Sequence, residues 1–439
     1  MAGTTSPETP NGSAPALRRI PGPDAATVAG RRTDGGPLVD LLTRTRERAG
    51  GVAAVPLGPR PTVLVTAPDA VQHVLALRPD QYVKRSHRAR LLIGDGVLSA
   101  TGDAWRRQRR LLQSQFTGRG MRRYETRIDA AADAAAARWA ELARTGAEFD
   151  VGGELRRYAL DTIWRSLTGH PLDDTTEHEL GALAVVAAAL PGLPADGTAA
   201  RDTVAAELDR IDTVARLAVA AARDDGPGPE GPGLLHVLLE AGDNHPEYTD
   251  RLIRDELVTL LVAGHETTAS TLTWLYLLLD RHPEAREQAL AAGPAGSPER
   301  HRAVRAIVQE TLRLYPSAWI LPRYATVDDD LTGYPIEAGT DLLVCPYLTH
   351  RDPALWPDPE RFDPGRFLTP GGRPAHPASY LPFGVGPRAC LGLQFALRET
   401  TVLLERLLPA HVPMFRGVPT GAEYGITVRP DGPCPATLA

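Results

Sequence analysis

The sequence predicts a mainly α fold with small β-sheets, and three observations carry this expectation. From about Asp250 to Asp280 the chain reads as one long helix whose middle, LVTLLVAG and then TLTWLYLLL, is apolar nearly all round. Other segments repeat the helical period. Strand-like runs are short and bounded by turn residues, in a chain of 439 residues with 41 glycines and 40 prolines. At 43% hydrophobic and 23% charged residues the composition is that of a soluble globular protein able to bury a large core. A formal net charge of -6 gives no overall attraction to nucleic acid or anionic membrane.

Three cysteines, Cys345, Cys390 and Cys434, lie too far apart for a zinc knuckle and are too few for a disulfide framework. A reducing, cytoplasmic setting follows. The longest apolar runs, 257–263 and 274–279, fall well short of the roughly 18 residues of a membrane helix, so no membrane anchor is expected. Arg31-Arg32 is followed by TDGGP rather than an apolar segment, which excludes a twin-arginine export signal.

Residues 1–36, rich in Thr, Ser, Pro and Gly, read as a flexible leader, and 37–439 as a single catalytic domain. Val52 to Val65 reads as two short strands around Gly58-Pro59, and Asp69 to Leu77 as a helix after Pro68. Helices are then expected at Asp129–Ala143, Leu155–Leu167 and Ala205–Ala222, with a loop at 191–197. The long central helix has Thr249 as its N-cap and His282-Pro283 as its stop, spanning about 46 Å. Pro298–Leu314 is the next helix. Strand and turn signals follow around Gly333 and Gly339, and the last helix is expected from Leu391 to Leu408.

The chemistry concentrates in four segments. FGVGPRACLG, from Phe383 to Gly392, places Cys390 in a glycine-rich loop directly before a helix. Open backbone, N–H groups near sulfur and a helix N-terminus suit a thiolate that ligates iron, whereas a lone cysteine is otherwise a buried structural residue. Its Gly-Val-Gly is no dinucleotide fingerprint, because HPASYLP precedes it where a buried strand is required. His265-Glu266 is no zinc-protease motif either, because position 269 is Ala269.

AGHETT, Ala263 to Thr268, sets a glycine, an acid and two hydroxyls in the driest part of the central helix. Such an arrangement suits proton delivery; the alternative is a water-satisfied kink. Glu310-Thr-Leu-Arg313 pairs acid and base on one helical face, which on most helices is only a surface salt bridge. Trp105 to Arg109 opens a basic run with Arg106, Arg107, Arg110, Arg119, Arg122 and Arg123, either a solvated face or a docking patch.

Together these segments resemble the cytochrome P-450 family of haem-thiolate monooxygenases, from about residue 40 to the C-terminus. FGVGPRACLG is similar to the family's cysteine-ligand loop, Glu310 and Arg313 to its E-x-x-R, with Arg361 of PERF completing a structural triad, AGHETT to its oxygen-activating groove, and Trp105 with Arg109 to its W-x-x-x-R. The resemblance implies the family fold, with the long central helix over a buried haem b, thiolate-ligated through Cys390. It implies Glu266 and Thr267 as the catalytic acid and alcohol that deliver protons. It implies that Trp105, Arg109, Arg323 and Arg388, together with His87, hold the haem, with Phe383 packed beside the ligand.

The activity implied is that of an oxidoreductase acting on paired donors, inserting one oxygen atom from O2 into a substrate and releasing the other as water. Many soluble bacterial members have His two residues before the cysteine and His where Trp105 stands; this chain has Arg388 and Trp105, closer to the membrane-bound members, yet no anchor. A soluble bacterial type is therefore expected. Retention of Glu266-Thr267 points to dioxygen with external electrons rather than peroxide. An acidic ferredoxin or flavodoxin-type reductase would dock on the cluster from Arg106 to Arg123.

By the same resemblance the substrate pocket would draw on Leu91 to Leu98, Val262, Ala263, Trp319, Ile320, Leu321 and Ile426, all of which could equally be core. Their apolar character suggests a small hydrophobic substrate, such as a terpenoid or polyketide-like scaffold from secondary metabolism. Desaturation, coupling or rearrangement without oxygen insertion is open to the same residues. A non-catalytic haem-binding sensor would not need Glu266-Thr267.

Overall fold

The computed structural model describes residues 20–22, 38–57, 61–84, 88–193 and 197–438. The expected leader at 1–36 falls almost wholly outside these residues, as do His87 and the Gly58-Pro59 turn. In chain order the helices are α1 (Leu38–Ala49), α2 (Pro68–Gln72), α3 (Arg90–Ile93), α4 (Gly102–Gln113), α5 (Arg119–Thr145), α6 (Val151–Thr168), α7 (Asp174–Leu180), α8 (Ala182–Ala189), α9 (Gly197–Thr203), α10 (Ala205–Asp224), α11 (Leu234–Asn244), α12 (Asp250–Arg281), α13 (Pro283–Ala291), α14 (Pro298–Leu314), α15 (Pro346–Thr349) and α16 (Leu393–Leu407).

The strands are short: β1 (Val52–Ala54), β2 (Thr62–Val65), β3 (Tyr82–Val83), β4 (Phe149–Asp150), β5 (Leu321–Ala325), β6 (Asp329–Leu331), β7 (Tyr334–Ile336), β8 (Asp341–Val344), β9 (Pro413–Phe415), β10 (Ala422–Tyr424), β11 (Val428–Pro430) and β12 (Pro435–Leu438). The largest sheet runs β1-β2-β8-β5-β3, with only β2 and β8 parallel. The pairs β10-β11 and β6-β7 and the triple β4-β12-β9 complete the β structure. A mainly α fold with small sheets is thus what forms.

Burial organises the molecule around α12. The Thr249 hydroxyl caps its start by accepting the Leu252 N–H, and His282-Pro283 ends it. Its residues from Leu257 to Leu261 and from Thr268 to Leu279 are buried, which is why the sequence there is apolar on every face. Gly264 packs against α6: a Cβ there would meet Ile163 at 3.1 Å, so the glycine serves helix approach rather than room for a flat ligand. Trp274 stacks on Tyr315 at 3.8 Å and donates to the Val428 carbonyl, tying α12 to β11.

Several expected boundaries shift, among them the helix expected from Leu155, which begins at Val151. The helix expected from Asp129 begins ten residues earlier, at Arg119, because Gly118 with φ +50 supplies the turn. The helix expected from Leu391 begins at Leu393, after Gly392.

Candidate active site

The Cys390 loop is shaped by glycines at two positions. Gly384 and Gly386 have φ of +70 and +78, and a Cβ on Gly386 would lie 2.1 Å from the Leu75 carbonyl oxygen, in the turn that continues α2. The Cys390 N–H donates to the Phe383 carbonyl at 2.7 Å, closing the loop, and Phe383 packs against the main core. Burial pushes the Cys390 thiol up, while the Gly392 N–H and Arg109 oppose that by favouring the thiolate. α16 begins three residues on, aiming its N-terminus at this sulfur.

The other cysteines differ. Cys345 is fully buried with its sulfur against the Trp319 carbonyl, its thiol pushed up to about 12, and Cys434 is buried beside Asp150, pushed up to about 11. Of the three, only Cys390 presents accessible surface, while the protein packed around its loop supplies the burial that raises its thiol.

Around it the fold gathers cations. The Arg388 guanidinium lies 4.3 Å from the Trp105 ring centre and donates to the Ala100 carbonyl at 2.8 Å. Arg109, one turn beyond Trp105 on α4, reaches Gln113 at 3.3 Å and acts electrostatically on Cys390. Arg323 on β5 and Arg388 are each pushed down to about 10 and Lys84 to about 7, by burial first and then by neighbouring arginines. The one carboxylate that opposes this on Arg388 is Asp80.

So much poorly compensated positive charge is unfavourable until an anion joins it. A cysteine whose thiolate form the Gly392 N–H and Arg109 favour, with four cations gathered nearby, fits a haem with its two propionates: Cys390 could hold the iron, and Lys84, Arg109, Arg323 and Arg388 the propionates. Lys84 was not anticipated; its signal was the basic run after β3, KRSHR.

On α12, Ala263 is exposed in the middle of an otherwise buried helix, so it faces an interior hollow. The Thr267 hydroxyl donates to the Ala263 carbonyl at 2.7 Å, and the Thr267 carbonyl accepts from Ser317 at 2.8 Å and Thr271 at 2.9 Å. Ser317 lies six residues before Arg323, on the segment that connects α14 to β5.

Glu266 points elsewhere. It lies at the wall of a cavity of about 300 Å³ with Arg156, Ser270, Thr273, Glu423 and Arg429. Glu266 Oε1 and Arg156 Nε form an ion pair at 3.9 Å, both atoms buried and without a hydrogen-bond partner among the described residues. Arg156 and Arg429 are two further residues that the sequence reading did not single out.

The pocket residues divide. Ala263, Leu98 at 37% and Ile426 at 47% exposure present accessible surface, and Leu91, Val262, Ile320 and Leu321 are partly buried. Trp319 is a correction: it is 2% exposed, donates to the Gly425 carbonyl at 2.9 Å and packs edge-on to Tyr424, so it supports the wall from behind.

Glu310 and Arg313 are both fully buried and paired twice, at 2.7 and 2.8 Å. Arg361 is a second correction. Its guanidinium is exposed, and only its carbonyl takes part, accepting from Arg313 at 3.0 Å. The arginine that reaches Glu310, at 3.5 Å, is Arg366, from the second Pro-x-Arg-Phe of the run PERFDPGRF. A tight turn over Pro364–Phe367, capped by Asp363, aims that side chain inward. In the basic run, Arg106 pairs with Asp103 and Asp80 and Arg107 with Glu247, which leaves Arg110, Arg119, Arg122 and Arg123 exposed and without an ion-pair partner among the described residues.

Comparison with known proteins agrees with this geometry. The cytochrome P450 family model matches residues 25–190 and 228–411. Cyclooctatin synthase of Streptomyces melanosporofaciens is 33% identical over 81% of both chains, and pentalenene oxygenase of Streptomyces avermitilis 30% identical over 87% of this chain and 85% of its own. Among solved structures, the haem domain of cytochrome P450DA superimposes with a TM-score of 0.82 at 25% identity, over 97% of this chain and 98% of its own. A six-coordinated cytochrome P450 from Thermus thermophilus gives 0.71 at 31% identity, over 91% and 99%. A cysteine loop, a cluster of cations and a hydroxyl-bearing central helix thus sit on the matching fold, and the chain belongs to the cytochrome P450 family of haem-thiolate monooxygenases.

Proposed function

We propose that this protein inserts one oxygen atom from O2 into a small apolar substrate of secondary metabolism, a terpenoid or polyketide-like scaffold. The observation that carries the reading is the presence on one fold of an accessible Cys390, with the Gly392 N–H toward its sulfur, and a hydroxyl groove at Ala263–Thr267 on the central helix. When bound, the haem supplies the iron at which dioxygen is reduced and activated. Everything else is the work of this chain.

Cys390 holds the iron as a thiolate, favoured by the Gly392 N–H and Arg109. Lys84, Arg109, Arg323 and Arg388 fix the propionates, and Trp105 packs against Arg388. Protons enter from the cavity beside Arg156, rest on the Glu266 carboxylate and pass to the Thr267 hydroxyl, which turns from the Ala263 carbonyl to donate. Leu98, Ala263 and Ile426 shape an apolar wall, and the names of the two Streptomyces relatives support a secondary-metabolite substrate.

Electrons arrive from an acidic ferredoxin or flavodoxin-type reductase that docks on Arg110, Arg119, Arg122 and Arg123. One catalytic domain from residue 37 onward, working in the cytoplasm, completes the reading; among the described residues no helix is long and apolar enough to cross a membrane. Turnover under ¹⁸O-labelled dioxygen tests it. Product carrying one labelled oxygen is expected, and a product that gains none, or a haem spectrum perturbed only by highly polar molecules, overturns it.

A further inference from the structure

We propose that Asp255 and Glu256 are positioning residues for substrate binding: they clasp the segment 92–99 onto α12 and thereby fix the stretch of cavity wall that this segment forms. The inference rests on the reading of Leu91 to Leu98 as pocket wall. Two neighbouring acids, 3% and 0% exposed, each hold a backbone N–H of that segment. Asp255 Oδ2 accepts from Asp95 at 2.9 Å and Glu256 Oε2 from Val97 at 3.0 Å.

The same stretch of α12 adds Arg254, which donates to the Leu92 carbonyl, and Thr259, which donates to the Ile93 carbonyl, each at 3.3 Å. From α4, Gln108 donates to the Asp95 carbonyl at 3.0 Å. Glycines permit this closeness: a Cβ on Gly94 would lie 2.1 Å from the Asp255 carboxylate, and one on Gly96 2.1 Å from the Thr259 hydroxyl. Each of these bonds to the segment goes to its main chain, so the clasp sets where the segment runs: Leu92 and Ile93 are buried in the core, and Leu98 presents accessible surface.

On the clasp's outer side lies a cavity of about 380 Å³ lined by Arg90, Asp95, Gln108, Tyr248 and Asp255. Water therefore stands next to the bonds that would break when the segment lifts. Glu256 is the sensitive member. Its Oε1 is buried without a partner, and burial pushes its carboxyl up to about 7. The titratable groups that act on it are Asp255 on its own helix and Tyr248 on the segment before α12, whose phenol burial pushes up to about 12. The nearby charges have other partners: Asp95 lies near Arg90 and Arg251, Arg254 pairs with Asp212 and Asp255, and Glu247 faces Arg107.

Lifting the segment hydrates Glu256 and returns its carboxyl toward the ordinary 4.5, so the closed clasp binds a proton that the open one releases. Opening is then favoured as pH rises, by about tenfold from pH 6 to pH 8.

The test uses the full-length, haem-loaded protein. Hydrogen–deuterium exchange of peptides spanning 92–99, corrected for intrinsic chemistry, is compared across about pH 6 to 8, and imidazole and phenylimidazole are titrated against the Soret band. Wild-type exchange should rise with pH, and Glu256→Gln, which still offers an oxygen to Val97 but does not titrate, should remove that rise. Glu256→Ala should quicken exchange at every pH and weaken phenylimidazole severalfold relative to imidazole, with Glu256→Gln restoring the ratio.

A wild-type pH dependence retained in Glu256→Gln overturns the clasp. Faster exchange in Glu256→Ala with an unchanged affinity ratio overturns its role in the cavity wall. Should Glu256→Ala not fold, the glutamine comparison decides alone. The carbon monoxide spectrum of the same reduced samples reports separately on the haem-thiolate reading.

Discussion

At the residue scale the active site separates two neighbours that the sequence places side by side. Thr267 turns its hydroxyl to the Ala263 carbonyl, whereas Glu266 lies on the wall of a different cavity, next to Arg156. On the proposed reading, a proton route from solvent to the groove crosses the helix between them. Thr267→Ala keeps the fold, since the lost bond is one satisfied within its own helix, but removes the last hydroxyl of that route. The account predicts normal haem incorporation with product formed per electron pair falling at least about tenfold, the difference appearing as peroxide. Measuring product, peroxide and reductant consumed in one reaction checks this.

What the sequence shows at Cys390, Glu266 and Thr267 is residues chemically odd for their surroundings: glycines beside a cysteine, an acid and hydroxyls in a dry helix. Lys84, Arg156 and Arg429 were not legible, because an isolated cation in sequence says nothing of what the fold brings to it.

At the element scale, the buried pair of α14 shows how position changes the worth of one motif. Glu310 and Arg313 on an exposed helix would contribute tenths of a kcal/mol. Here both are at 0% exposure, and Arg313 also donates to the His350 carbonyl at 2.9 Å and the Pro359 carbonyl at 2.6 Å, so it pins two loops to the helix. Arg313→Ala leaves the Glu310 carboxylate buried with Arg366 as its one nearby cation and the Asp363 N–H as a donor, and is expected to cost about 3–5 kcal/mol. Arg361→Ala, which deletes only an exposed side chain and keeps the carbonyl that Arg313 uses, is expected to stay within about 0.5 kcal/mol. Urea titration of the two variants checks both.

Arg361 and Arg366 are hard to tell apart in sequence because two Pro-x-Arg-Phe runs follow one another within nine residues, separated by Asp363, and the inward turn after Asp363 distinguishes them. Elements bounded by strong punctuation were legible: α14 runs from Pro298 to Leu314 as expected, with Ser297 capping it. α11 and α13, short helices between loops, were not, because their pattern emerges only against α12.

At the scale of the whole molecule, buried ionisable groups set how stability follows pH. His265 and His350 are buried and neutral, pushed down to about 4 and about 3 by loss of hydration. Unfolded, both would take up protons near 6.5, so the stability they lend above that pH is lost progressively as pH falls toward those values. Glu256 has the opposite sign, lending stability at low pH that is lost as pH rises through about 7. The melting temperature is expected to fall on acidification below about pH 6, and His350→Gln to flatten that acid limb.

Charge also acts outward. Converting Arg119, Arg122 and Arg123 together to Glu should slow reduction by an acidic ferredoxin at low salt and leave it nearly unchanged at about 0.5 M salt, where exposed charges are screened. Stopped-flow reduction at both salt concentrations checks this.

The central claim is that Cys390 is the thiolate that binds iron. The reduced, carbon monoxide-treated spectrum tests it most directly, because thiolate ligation moves the Soret band far to the red of histidine ligation. The account predicts a red-shifted band for the wild type and for Cys345→Ser and Cys434→Ser, and its loss in Cys390→Ser. A histidine-like band in the wild type, or a red-shifted band that survives Cys390→Ser, would contradict it.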